Sequence, residues 1–62
     1  MNSANQQKLV GLQQLLAKNF GRKVDVYRIE GKGVLVVEHG KQLQPGNVIF
    51  QLDDWSFQNI TN

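Results

Sequence analysis

Lys23-Val24-Asp25-Val26-Tyr27-Arg28-Ile29-Glu30-Gly31-Lys32-Gly33-Val34-Leu35-Val36-Val37-Glu38-His39 is the stretch that decides the fold. Apolar residues alternate along both halves, which is the period of a pleated strand. The glycines between the halves predict a hairpin of strands 23–29 and 34–39. A two-residue Gly31-Lys32 turn sets Asp25 opposite Glu38, which is unfavourable because like charges then face each other. A Gly31–Gly33 loop sets Asp25 opposite His39 and is the preferred register.

Before the hairpin the period changes. Leu9, Leu12, Leu16 and Phe20 recur at spacings of three and four, predicting a helix over 4–20. With Leu15 they span an arc of about 140°, the width of one buried stripe. Ser3 or Asn5 is placed to cap its start and Gly21 to end it in a left-handed conformation. After the hairpin, Gln44-Pro45-Gly46-Asn47 has the pattern of a type II turn. Residues 48–52 read as a third strand, and 55–60 as a short fourth strand or a segment packed across one end. The expected fold is α+β in a single domain over 1–62: an N-terminal helix on a three- to four-stranded antiparallel meander, open or curled into a small roll.

Size and composition narrow the function. A chain of 62 residues buries only about 60% of the surface its unfolded form exposes, so it depends on tight packing or on a partner. The absence of cysteine excludes disulfides, thiolate metal sites and a cysteine nucleophile, and a single histidine is too few for a histidine metal cage. No cofactor and no metal site is expected. No run reaches the roughly 18 apolar residues of a membrane span, and residues 1–7 lack the features of a signal peptide. The expectation is a cytoplasmic protein with no membrane association, and Asn59-Ile60-Thr61 is read as a chance glycosylation triplet.

The informative feature is a surplus of apolar side chains. Val24, Val26, Val34 and Val36 point to one side of the hairpin, and Tyr27, Ile29, Leu35 and Val37 to the other. The third strand adds Val48, Phe50 and Leu52 against Ile49. One helix about 25 Å long cannot cover both faces. Either the sheet curls into a roll plugged by Trp55 and Phe57, or one face meets a second copy or another protein. The sequence leaves open which face the helix covers.

This favours a non-enzymatic protein–protein interaction or regulatory module, with Tyr27, Ile29, Leu35, Val37, Trp55 and Phe57 as interface candidates. No catalytic residue is assigned. His39 has no nucleophile near it in sequence, and Asp53-Asp54 reads as strand-ending acids or a cap. Trp55 reads as core-covering in preference to a docking residue.

The alternative is a nucleic-acid-binding regulator using Lys18, Arg22, Lys23, Arg28, Lys32 and Lys41, with Tyr27 for stacking. Charge lends it modest support. Residues 1–41 carry all seven basic side chains against three acids, a net +4, whereas residues 42–62 carry two acids and no base, a net −2. Residues 36–47 (VVEHGKQLQPGN) loosely resemble the later strand and loop of HicA-type mRNA interferase toxins, which implies RNA binding. The Gly-Ser-His element of that family has no counterpart, since Gly31-Lys32-Gly33 stands in its place, and the activity does not carry over.

Overall fold

A computed structural model describes residues 3–60, with side chains from residue 6 onward. The elements are helix α1 (Ser3–Phe20), strands β1 (Val24–Ile29) and β2 (Gly33–Glu38), a 3₁₀ turn (Pro45–Asn47), strand β3 (Val48–Asp53) and helix α2 (Asp54–Asn59). The strands form an open antiparallel sheet in the order β1-β2-β3. The fold is α+β, as the alternation predicts, and the sheet does not close into a roll.

Helix α1 ends as expected: Gly21 has φ 69°, and the Arg22 N–H returns to the Ala17 carbonyl at 3.1 Å. The capping candidates Ser3 and Asn5 lie outside the described side chains, and Thr61 lies outside the described residues. Leu12 and Leu16 are buried and Leu9 packs beside them, but Leu15 and Phe20 are exposed. These two stand at the ends of the predicted arc, so a helix seated on β1 leaves them at its rim. Phe20 meets the Phe50 ring edge-on at 6.5 Å.

The hairpin register differs from both sequence-based alternatives. The loop is Glu30-Gly31-Lys32, closed by the Lys32 N–H on the Ile29 carbonyl at 2.9 Å, with Gly31 at φ 75°. Gly33 belongs to β2, opposite Ile29 and Asp53. Its φ of 129° and the closeness of β3 explain why: a Cβ there would overlap the Leu52 carbonyl oxygen and lie 2.7 Å from the Asp53 carbonyl carbon. Asp25 therefore pairs with Val37, and His39 follows β2 beside Lys23. The side chains of Asp25 and His39 still meet, diagonally, at 3.1 Å.

Three further expectations are corrected. A bulge between Val36 and Val37 puts Val48 opposite Val37, away from the face that carries Phe50 and Leu52. Pro45–Asn47 forms a 3₁₀ turn, not a type II turn, and Gly46 has no positive φ. The segment after β3 is a helix and not a fourth strand. Asp53 caps it by accepting the Ser56 N–H at 2.7 Å, which directs Phe57 into the core.

That core comprises Leu12, Leu16, Val24, Val34, Val36 and Phe57. Helix α1 lies against β1, and α2 against β2 and β3. Both helices thus cover the face of Val24, Val26, Val34 and Val36, and among the described residues no helix lies on the other face.

Candidate interaction face

By alternation, the second face carries Asp25, Tyr27 and Ile29 from β1 and Leu35 and Val37 from β2, with Val48 and Gln51 opposite the latter two. Tyr27 is 37% exposed, and Ile29 and Leu35 are half-buried. The connection over residues 40–47 folds back onto one end of the face. There Leu43 and Pro45 share a hollow with Leu35, Val48 and Gln51. Val37 is fully buried yet stands apart from the core under the helices. A second hollow opens at the hairpin end between Ile29, Lys32, Leu35, Gln51 and Asp53. Leu35 lines both hollows, so it sits at the middle of the uncovered surface.

The candidate interface residues separate into two groups. Tyr27, Ile29 and Leu35 present apolar surface side by side. Val37 and Phe57 present none, because each is 0% exposed, Phe57 in the core and Val37 on the second face. Trp55 is not core-covering: it is 74% exposed on α2, since a helix that turns Phe57 inward turns a residue two places earlier outward.

The basic set does not form one patch. Arg28 belongs to the fold. Its guanidinium donates to the carbonyls of Ile29 at 2.7 Å and Gly33 at 3.0 Å, pairs with Asp54 at 2.5 Å, and lies 4.8 Å from the Phe57 ring centre. With its side chain only 16% exposed, it is not presented to a phosphate. Arg28 shares the parity of Val24 and Val26, so alternation already places it on the core side. Its partner, Asp54, opens helix α2, where the sequence suggests strand-ending acids or a cap. Arg22 pairs with Glu38 at 3.6 Å. Lys18, Arg22, Lys23 and Lys41 lie toward the end of the sheet where α1 stops, whereas Lys32 lies in the hairpin loop at the opposite end.

Asp25, Asp53 and Asp54 have structural contacts. Capping by Asp53 holds its carboxyl below its ordinary value of 3.8, because the backbone and then the side chain of Ser56 donate to the ionised form. Asp54 holds Arg28, and Asp25 meets His39. Among the described residues no group of three or more His, Cys, Asp or Glu side chains is placed to hold a metal ion, and no helix is long and apolar enough to cross a membrane. No protein family, curated protein or solved structure matches this chain.

Proposed function

We propose that this chain is a non-enzymatic protein–protein interaction module, binding through the sheet face that carries Tyr27, Ile29 and Leu35. The supporting observation is an open sheet with both helices on one side and an apolar row on the other, which the described residues cover at one end, through residues 40–47. An aromatic and two aliphatic side chains beside shallow hollows suit the apolar anchors of a protein partner. The adjacent carboxylates support the same reading, since Asp53 caps a helix and Asp54 holds Arg28. The withdrawal of Arg28 into the fold and the pairing of Arg22 with Glu38 favour apolar contact over phosphate contact.

The test compares proteins retained by the tagged wild type, by Leu35→Lys and by Gln14→Lys, a change on the exposed side of α1, at low and high salt. Proteins retained at high salt, kept by Gln14→Lys and lost by Leu35→Lys, are the expected result. Retention of the same set by Leu35→Lys overturns the proposal. So does binding that salt alone removes, because phosphate-driven affinity falls steeply with salt.

A further inference from the structure

Strand β1 is an edge of the sheet, and its register fixes which backbone groups look outward. The His39 N–H donates to the Lys23 carbonyl at 3.1 Å, so Lys23, Asp25, Tyr27 and Ile29 turn their peptide groups toward β2. Val24, Val26 and Arg28 turn theirs away. The Val24 carbonyl is taken by the Gln13 side-chain amide at 2.9 Å, which closes that end of the edge. Val26 and Arg28 remain. No proline or bulge blunts this stretch, and the Arg28 guanidinium is drawn inward to Asp54 instead of standing at the edge. The other edge, β3, is interrupted by its bulge and ends in the Asp53 cap.

We propose that β1 pairs antiparallel with β1 of a second copy, about a twofold axis at Tyr27. The edge is self-complementary in this register. Val26 faces Arg28 of the second copy and Arg28 faces its Val26, so the peptide groups that Gln13 leaves open satisfy one another. Tyr27 faces Tyr27 of the second copy as a close, non-hydrogen-bonded pair, and Asp25 faces Ile29, so no like charges stand directly opposite. An axis at Val26 would need the Val24 carbonyl that Gln13 occupies. An axis at Arg28 would set Val26 against Glu30, beyond the strand. The pairing joins two sheets into one of six strands and brings the two Tyr27 faces edge to edge. It extends the face reading without depending on it, because the edge acts through backbone and the face through side chains.

The test measures solution mass by light scattering for the full chain, Val26→Pro and Leu35→Lys, with circular dichroism confirming each fold. Proline at Val26 removes an outward N–H, which an edge strand tolerates, and exchanges one partly buried apolar side chain for another. Wild type and Leu35→Lys are expected at twice the 7.0 kDa chain mass and Val26→Pro at the chain mass. An isotope-filtered NMR experiment on mixed labelled and unlabelled wild type is expected to show a contact between Tyr27 α-protons of different copies, and it carries the test if Val26→Pro does not fold. A wild type that stays monomeric at millimolar concentration overturns the edge pairing and leaves the face reading to its own test. A dimer kept by Val26→Pro and lost by Leu35→Lys also overturns it, and places the contact on the face.

Discussion

Gly33→Ala is expected to be the most damaging single-methyl change in this protein. Gly33 lies at φ 129°, where an L side chain is strained by about 1–3 kcal/mol. Its new Cβ would overlap the Leu52 carbonyl oxygen and stand 2.7 and 2.9 Å from backbone atoms of Asp53. These are β3 main-chain atoms, not the movable end of a side chain, so relief requires separating the strands, at a further cost of about 1–3 kcal/mol. The total of about 4 kcal/mol is comparable with the whole stability of a chain this size, roughly 3–9 kcal/mol. Gly31→Ala is the control. It also has positive φ, 75°, but a Cβ there meets nothing within 4 Å, so its cost is about 1 kcal/mol. With a urea slope of about 1 kcal/mol per molar, Gly31→Ala lowers the midpoint by about 1 M and Gly33→Ala by about 4 M. Urea titrations followed by circular dichroism measure both. Equal midpoints for the two variants would refute the close packing of Gly33 on β3 and the register built on it.

Other outcomes follow from the same contacts. Arg28→Met, which keeps the stem over Phe57 but removes the charged hydrogen bonds, is expected to cost about 2 kcal/mol in urea unfolding, discounted for the partial exposure of Asp54. Phe57→Ala is expected to cost about 3–5 kcal/mol, whereas Trp55→Ser stays within about 0.5 kcal/mol by the same assay, as their opposite exposures require. Asp53 titrates below its ordinary value in the folded chain, so its contribution is present in full above that value and lost as pH falls through the lowered one. Asp53→Asn keeps a capping side chain but removes that dependence. The stability gap between wild type and Asp53→Asn should therefore be constant near neutrality and narrow in acid, as urea midpoints across pH will show.

Much of the fold is legible in the sequence because period and punctuation agree. The spacing of Leu9, Leu12 and Leu16 marks α1, Gly21 ends it, and the alternation from Val24 to Val37 gives both strands and their two faces. The register was not legible. Gly31 and Gly33 look alike in a sequence, yet one serves a loop and the other a contact with β3, a strand far along the chain. Helix α2 was hidden for a similar reason. Aromatic residues in 55–60 suit a strand, and the helix rests on the Asp53 cap and the burial of Phe57 against α1 and Arg28. Tyr27, Ile29 and Leu35 were recognisable as a surplus row. That the helices cover the opposite face depends on packing, which alternation cannot supply.

The most direct test of the central claim places a photo-crosslinking amino acid at Tyr27 and, as a control, at Gln14 on the exposed side of α1, in cells that express the chain. Apart from a self-adduct at twice the chain mass, which edge pairing gives, a discrete adduct with a different protein is expected from position 27, absent from position 14 and abolished by Leu35→Lys. No adduct with a different protein from position 27, or one indifferent to Leu35→Lys, would contradict the assignment of this face.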